Sequence, residues 1–235
     1  MTVGHRPHVI CHMMTSVDGR IVPRRWPDLG DGRREYERVH AEIGADAWMC
    51  GRITMEPFAG AMRSDEEVAR ESPGTERLDF IAPDAGPCYA VAVDPSGRLA
   101  WQSNDIDGDH VITVLSRRVS DEYLEFLRAR GVSYVLAGAR EVDLALALER
   151  LATNFGIRTV LLEGGGKING SMLRDGLIDE VSVLVAPVAD GTIGTPALFD
   201  VNDRAGTYTP RRLTLGSVEQ RAEGVVWLRY RVVAS

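Results

Sequence analysis

Three consecutive glycines, Gly164 to Gly166, separate an apolar run from an amphipathic run in TVLLEGGGKINGSMLRDG (159–176). Glycine loses more backbone freedom on folding than any other residue, so three together weaken any helix or strand that contains them. Their position predicts a strand-to-helix turn, where backbone without Cβ atoms can approach a phosphate and helix N–H groups point at it. The pattern is neither G-x-G-x-x-G nor a P-loop, and a tight turn without a ligand is the alternative.

Two charged residues flank the glycines. Lys167, the only lysine of the chain, follows them and either adds a positive charge at the turn or is simply solvated. Glu163 ends the predicted strand, at the carboxyl edge where parallel sheets bind ligands. A surface ion pair with Arg158 or Arg174 is the other interpretation of Glu163, and both stay open at this point.

Composition restricts the class of protein. The 235 residues are 44% hydrophobic, enough for a sizeable core, and the net charge of −7 argues against a nucleic-acid surface. No apolar run approaches the ~18 residues of a membrane span, and the first residues lack a signal-peptide layout. The cysteines, Cys11, Cys50 and Cys88, lack metal-type spacing, which favours reduced thiols and no metal site. We therefore expect a cytoplasmic protein that binds neither nucleic acid nor membrane.

Alternating strand and helix patterns predict one α/β domain over residues 1–235, with a largely parallel sheet. Two antiparallel strands, within 211–220 and 224–233, are expected to end that sheet. The charged residues 61–86, which include Pro and Gly, are expected to be a long excursion, either a mobile flap or a dimer arm. The other expected strands are 8–16, 47–51, 89–94, 110–115, 132–138, 158–164 and 179–188, and the expected helices are 31–45, 52–60, 121–131, 141–156 and 167–176.

Three stretches together resemble a known family: MTSVDGRI (14–21), GADAWMCGRITMEPF (44–58) and LLEGGGKINGSMLRDGLIDEVSVLVAPV (161–188). They resemble the reductase domain of riboflavin biosynthesis, a pyrimidine reductase found alone or fused to a deaminase. The resemblance covers residues from about 7 to 233. It implies the three-layer dihydrofolate reductase-like fold, with a mostly parallel mixed sheet, antiparallel C-terminal strands and helices on both faces. It further implies NADPH as the hydride donor and a ribosylaminopyrimidine phosphate, reduced from ribosyl to ribityl, as the small-molecule heterocyclic substrate.

The resemblance also implies the cofactor residues. Gly51-Arg52-Ile53-Thr54 is similar to the G-R-x-T at a second cofactor helix, where Thr54 would bond phosphate and Arg52 would meet the adenosine 2′-phosphate. Ser96, in VDPSG, corresponds to the ribose-phosphate edge. The alternatives are a packed Thr54, a solvated Arg52 and an ordinary turn at Ser96. The residues expected to hold the pyrophosphate are Gly164, Gly165, Gly166, Lys167, Ile168 and Asn169.

Substrate contacts are implied on the first strand and beyond it. Thr15 and Ser16 match positions that contact nicotinamide and substrate, and Trp26 matches an aromatic residue nearby, with a partly buried surface ring as the alternative. Asp18 lies in the family's S-x-D-G, which by itself indicates only a turn. The resemblance makes Asp18 a candidate for orienting substrate or nicotinamide. Glu163 matches a carboxylate that faces the pyrimidine. Asp18 and Glu163 are the candidate catalytic residues, which would orient a water beside the developing nitrogen charge.

The chain departs from the family around the substrate phosphate. His12 stands where many relatives have a basic residue, although a strand histidine is more often a satisfied core residue, and no arginine follows Arg38 in the first helix. EPFAGAMR (56–63) replaces the family's D-D-P-x-L-T. Arg63 is the substrate-binding candidate for supplying this positive charge, and the alternatives are Arg24, Arg25, Arg33 and Arg34.

Other functions therefore stay open. A reductase of dihydrofolate or another pterin-like heterocycle is one alternative, and a non-catalytic NADPH-binding or regulatory protein is another. A phosphosugar-binding enzyme without nicotinamide is a third. The resemblance implies a homodimer formed through sheet edges or C-terminal strands, and the apolar alternation of VVWLRYRVV (225–233) is compatible with that.

Overall fold

The computed structural model describes residues 6–69, 77–83, 85–203 and 206–233. The described residues form a mostly parallel sheet of ten strands, together with six α-helices, which confirms the predicted α/β class. Contacts divide the chain into a first unit, residues 1–7 and 46–160, and a second unit, residues 8–45 and 161–235. The single domain over 1–235 stays a prediction.

The elements follow the predicted order closely. The strands are β1 (His8–Thr15), β2 (Ala47–Gly51), β3 (Tyr89–Val93), β4 (Asp105–Ile106), β5 (Asp109–Leu115), β6 (Ser133–Leu136), β7 (Thr159–Leu162), β8 (Glu180–Val185), β9 (Leu213–Gln220) and β10 (Val226–Val232). The helices are α1 (Arg34–Ile43), α2 (Arg52–Ala59), α3 (Asp65–Ala69), α4 (Asp121–Ala129), α5 (Leu144–Phe155) and α6 (Gly166–Arg174). The division between the two units falls within β7.

The first unit is built on parallel strands in the order β2, β3, β5, with β6 also parallel to β5 and the short β4 antiparallel to it. These strands are apolar on both faces, as is typical of parallel strands covered by helices. Side-chain caps fix the start of two helices: Ser120 accepts from the Tyr123 N–H before α4, and Asp143 accepts from the Leu146 N–H before α5. The bulkiest fully buried residues of this core are Trp101, Tyr123 and Tyr134.

Residues 77–82, the end of the predicted excursion, cover strand β6. Phe80 and Tyr134 exchange two backbone hydrogen bonds of 3.0 Å, and the Ala82 N–H donates to Ser133 Oγ. Asp79 accepts from the Leu136 N–H at 2.9 Å and pairs with Arg150. This part of the excursion is therefore docked on its own unit rather than extended as a flap or an arm. Residues 70–76 lie outside the described residues.

The second unit places β8 between β1, which is parallel to it, and β10, which is antiparallel. Strand β9 pairs with the outer side of β10, so the two predicted C-terminal antiparallel strands are confirmed. Helix α1 ends at a left-handed glycine, Gly44, whose N–H donates to the His40 carbonyl. Met14, Trp26, Leu184 and Trp227 pack in the core of this unit.

The hairpin of β9 and β10 carries an apolar face. A bulge at Gly216 shifts the register between β9 and β10. Because of this shift, every second residue in one part of β10 lies opposite an apolar residue of β9, namely Leu213, Leu215 or Val218. Those residues of β10 are Val232, Tyr230 and Leu228. The β9 side chains on this face are exposed, with Val218 at 56%. An exposed apolar strip on an edge hairpin indicates a contact surface.

Candidate functional site

In the first unit, the predicted cofactor residues lie at or just after the ends of two neighbouring parallel strands, β2 and β3. Gly51 ends β2 opposite Val93 of β3, and Val93 lies opposite Val114 of β5. The chain therefore leaves β2, β3 and β5 at the same edge of the sheet, through the segments that carry Arg52 and Ser96. The carboxyl edge of parallel strands is where α/β sheets bind ligands.

Helix α2 begins directly at this edge. Gly51 is its N-cap in an extended conformation, and Arg52 is its first residue. Arg52 pairs with Glu56 one turn further on, so it is an ion-paired side chain rather than a freely solvated one. Thr54 is half-buried on the same helix. A phosphate at this helix N-terminus would share Arg52 with Glu56.

The loop that contains Ser96 is held from two sides. Asp94 is buried, its Oδ2 accepts from the Leu99 N–H at 2.8 Å, and burial raises the pKa of its carboxyl group. Arg63 donates to the Gly97 carbonyl at 2.8 Å and lies over the Tyr123 ring, 4.5 Å from its centroid. Arg63 thus supports this loop, and its predicted contact with substrate stays a prediction.

In the second unit, β1 leads into a turn that Asp18 holds closed. Ser16 Oγ donates to Asp18 Oδ1 at 2.7 Å, and the N–H groups of Asp190 and Gly191 donate to the same carboxylate at 2.9 Å. These bonds, led by that from Ser16, lower the pKa of Asp18 well below its usual range. Asp18 is therefore ionised and joins two loops, whereas its orienting role toward substrate or nicotinamide stays a prediction.

Trp26 belongs to the core of this unit. It is 7% exposed and its Nε1–H donates to Asp190 Oδ2 at 3.1 Å. Asp190 therefore connects Trp26 to the turn closed by Asp18. The interpretation of Trp26 as a partly buried surface ring is wrong, because the ring packs against Met14 and other buried residues of this unit.

The glycine bend joins β7 to α6, as the sequence predicts. Gly164 has φ +99°, and a Cβ there would lie 3.0 Å from the Met13 side chain. A Cβ on Gly166 would lie 2.3 Å from the Ala197 carbonyl oxygen, so this glycine is required by packing. Gly165 is half-buried and Lys167 is exposed. The bend is therefore open at its middle, and α6 begins at Gly166, one residue before the predicted start.

The next two residues support the bend from beneath. Ile168 and Asn169 are buried, and Asn169 Nδ2 donates to the Leu198 carbonyl at 3.0 Å. Asn169 Oδ1 is buried and has no hydrogen-bond partner in the described part of the chain. The N–H groups of Ile168 and Asn169 donate to the Gly165 carbonyl at 3.1 and 3.2 Å, so the helix N–H groups that precede these bonds are those of Gly166 and Lys167. Backbone N–H groups at the start of a helix are the ones that can bind an anion.

Glu163 has a partner that the sequence analysis did not identify. Its Oε1 lies 2.8 Å from Nδ1 of His40 on α1, with side-chain exposures of 10% and 33%. The two arginines considered in the alternative interpretation pair with aspartates: Arg158 with Asp46 and Arg174 with Asp175. The two residues of this pair are 123 positions apart, so no local pattern could reveal their contact.

His12 is a satisfied core residue beside this pair. Its Nε2 lies 3.3 Å from the Tyr36 carbonyl, which only accepts, so Nε2 carries the proton in the neutral ring. Ser182 Oγ then donates to His12 Nδ1 and accepts from the Trp227 Nε1–H. Burial lowers the pKa of His12, and the Glu163 carboxylate partly offsets this effect. His12 therefore does not replace the basic residue of the relatives.

Clusters that could hold a metal ion and helices that could span a membrane are both absent from residues 6–69, 77–83, 85–203 and 206–233. No cluster of three or more histidine, cysteine, aspartate or glutamate side chains is placed to hold a metal ion there. In the same ranges, no helix has the length and apolar character that crossing a membrane requires.

A mostly parallel sheet with a glycine bend after β7 and antiparallel C-terminal strands defines the dihydrofolate reductase-like class of α/β protein. The family model described as RibD C-terminal domain matches residues 7–227. This chain belongs to that family. The match includes residues of both units.

Individual relatives agree with the family. The 2,5-diamino-6-ribosylamino-4(3H)-pyrimidinone 5′-phosphate reductase of Methanothermobacter thermautotrophicus is 34% identical over 198 residues, covering 83% of this chain and 84% of that protein. The Aquifex aeolicus protein of the same name is 30% identical, with 82% of each chain covered. A solved pyrimidine reductase-like protein from Corynebacterium diphtheriae has a TM-score of 0.68 at 18% identity, covering 97% of this chain and 93% of the other, and supports the fold.

Proposed function

We propose that this chain is an NADPH-dependent oxidoreductase of riboflavin biosynthesis, which reduces the ribosyl group of a ribosylaminopyrimidine 5′-phosphate to a ribityl chain. The observation that carries the proposal is the 34% identity, over 83% of the chain, to a reductase named for such a substrate. This relationship favours the pyrimidine over dihydrofolate or another pterin-like heterocycle. It also favours an enzyme over a regulatory protein that only binds NADPH.

The residues present fit a dinucleotide phosphate. Gly165 is half-buried in the bend, and the N–H groups of Gly166 and Lys167 begin α6, where the helix dipole favours an anion. Lys167 adds a positive charge. Arg52, at the start of α2, is the residue for a 2′-phosphate, which is why NADPH is proposed over NADH. When bound, the cofactor supplies the hydride, and the protein supplies alignment and exclusion of water.

The substrate side is proposed for the second unit. Thr15 ends β1 and Ser16 follows it. Both residues are buried, and Asp18 fixes the turn that follows. Glu163, at the end of β7, is the proposed contact to the heterocycle. Because His40 holds its carboxylate, Glu163 has a defined orientation before any substrate arrives.

A homodimer is proposed through the apolar face of the β9–β10 hairpin. The bulge at Gly216 aligns three exposed apolar side chains of β9 on that face, and pairing with a second copy would bury them. A cytoplasmic location is proposed from the free thiols of Cys11, Cys50 and Cys88.

The proposed reaction is tested by comparing two acceptors under single-turnover conditions. The purified chain is mixed with NADPH and either 2,5-diamino-6-ribosylamino-4(3H)-pyrimidinone 5′-phosphate or dihydrofolate, and the absorbance of the reduced cofactor is followed. We expect oxidation of NADPH with the pyrimidine phosphate and none with dihydrofolate. Oxidation with dihydrofolate alone would assign the chain to pterin reduction, and binding of NADPH without any oxidation would favour a regulatory protein.

A further inference from the structure

The Glu163–His40 pair is formed by two rigid parts of the second unit. His40 lies in the last turn of α1, where the Gly44 N–H closes the helix end on the His40 carbonyl. Glu163 precedes Gly164, whose φ of +99° sets the direction of the chain after it. The backbone at both residues is therefore held in place by the fold. A preorganised site requires such support.

The chemistry of the pair fixes the proton on one nitrogen. An ionised carboxylate can only accept hydrogen bonds, so His40 Nδ1 carries a proton toward Glu163 Oε1 whether the ring is neutral or charged. A bond to a charged acceptor is roughly twice as strong as one between neutral groups. At 2.8 Å, it holds the Glu163 carboxylate in one orientation.

Two other titratable groups lie near the pair on β1. His12 on β1 is engaged by Ser182 and by the Tyr36 carbonyl. Cys11, also on β1, is fully buried, and burial together with Glu163 raises the pKa of its thiol far above the usual range. His40 is the group among these that hydrogen-bonds to Glu163 directly.

We propose that His40 is a positioning residue, whose Nδ1–H orients the Glu163 carboxylate toward the heterocycle of the substrate. This inference rests on the proposed function, because it assumes that Glu163 contacts the pyrimidine. It extends that function by a residue outside the glycine bend and the first strand.

The test separates positioning from folding by the choice of substitution. His40→Leu removes the donor, whereas His40→Asn places an amide N–H near the original position of Nδ1. His8→Leu is the matched control, since His8 also contacts a carboxylate, that of Glu180 at 3.1 Å, but at the opposite end of β1. Steady-state kinetics are measured on the full chain with NADPH and 2,5-diamino-6-ribosylamino-4(3H)-pyrimidinone 5′-phosphate, together with thermal unfolding.

We expect His40→Leu to lower kcat/KM for the pyrimidine phosphate by about ten- to hundredfold, the effect of losing one hydrogen bond to a charged group. The KM of this variant for NADPH should change less than about threefold. For His40→Asn and His8→Leu, kcat/KM for the pyrimidine phosphate should also stay within about threefold of the wild-type value. If His40→Leu matches the wild type, or His40→Asn is impaired equally, the inference is wrong.

Two further outcomes are decisive. If His40→Leu does not fold, His40→Asn is compared with His40→Gln, whose amide reaches too far; equal activity of these two would overturn the inference. If the wild type does not reduce the pyrimidine phosphate, the proposed function fails instead. Calorimetric affinity for that compound, in wild type and His40→Leu, then tests the positioning role without turnover, and equal affinities contradict it.

Discussion

At the residue scale, each of the three glycines of the bend occupies its position for a different physical reason. Gly164 needs a left-handed backbone, and Gly166 needs room against the Ala197 carbonyl. Only Gly165, which is half-buried, is left with backbone that can meet a ligand. The bare backbone that suggests a phosphate site is therefore largely a packing requirement, and the case for the phosphate depends on Gly165 and on the N–H groups of α6.

We expect Gly166→Ala to destabilise the protein by about 1–3 kcal/mol, because a Cβ at 2.3 Å from a backbone oxygen forces the 197–200 segment to move. Urea unfolding measures the change. Gly86→Ala is the control, since its Cβ would lie 4.0 Å from the nearest heavy atom. Equal midpoints for the two variants would show that the bend accommodates a side chain.

Two buried histidines predict how stability depends on pH. Burial lowers the pKa of His12 and of His110 in the folded chain, while in the unfolded chain a histidine titrates near about 6.5. Below that pH the unfolded chain takes up protons that the folded chain does not, so stability falls as the pH falls. Urea unfolding at pH 7.5 and 5.5 should show this loss, and His12→Gln with His110→Gln should reduce it. An unchanged pH dependence would exclude these histidines as the cause.

Site residues could be predicted from the sequence only where a motif surrounds them. The glycine bend and the Asp18 turn have local patterns, and the structure places both where the patterns indicate. His40 has none, because its role arises from a contact with Glu163 across 123 positions. Asp190, which links Trp26 to the Asp18 turn, was missed for the same reason.

At the element scale, hydrophobic periodicity predicts the long elements and misses the short ones. Helix α5 and strands β1 and β5 follow from apolar spacing, since each buries a continuous face, and β10 follows from the apolar alternation of its residues. Strand β4 has two residues and helix α3 has five, too few for a periodic pattern. The docking of 77–82 on β6 depends on hydrogen bonds that the Asp79 carboxylate accepts, which no pattern in a charged segment reveals.

The covering of β6 predicts a local effect of Asp79→Ala. This substitution removes acceptors for the Leu136 N–H, Arg150 and Asn154, so residues 77–82 should detach more often from the strand. Hydrogen–deuterium exchange of peptides from 133–136 should become faster. Asp65→Ala, which breaks only an exposed pair with Arg98, is the control and should leave that exchange unchanged. Equal exchange in both variants would mean that Asp79 does not hold the cover.

At the scale of the whole molecule, the apolar hairpin face predicts self-association. We expect Leu215→Asp to convert a homodimer to a monomer, because an unpaired carboxylate on an interface strand is costly to bury. Light scattering coupled to size-exclusion chromatography measures the mass. Ile193→Asp, at a residue that is 96% exposed and off this face, is the control and should remain dimeric. A monomeric wild type, or a dimeric Leu215→Asp variant, would contradict the proposed interface.

In the proposed reaction, one hydride passes from C4 of NADPH to the sugar carbon attached to nitrogen. The chain is incubated with NADPH carrying deuterium at the transferable C4 position and with 2,5-diamino-6-ribosylamino-4(3H)-pyrimidinone 5′-phosphate, and the product is analysed by mass spectrometry and NMR. We expect a ribityl product with a single deuterium on the sugar carbon attached to nitrogen. Absence of that product, or a ribityl product without deuterium, would contradict the proposed reaction.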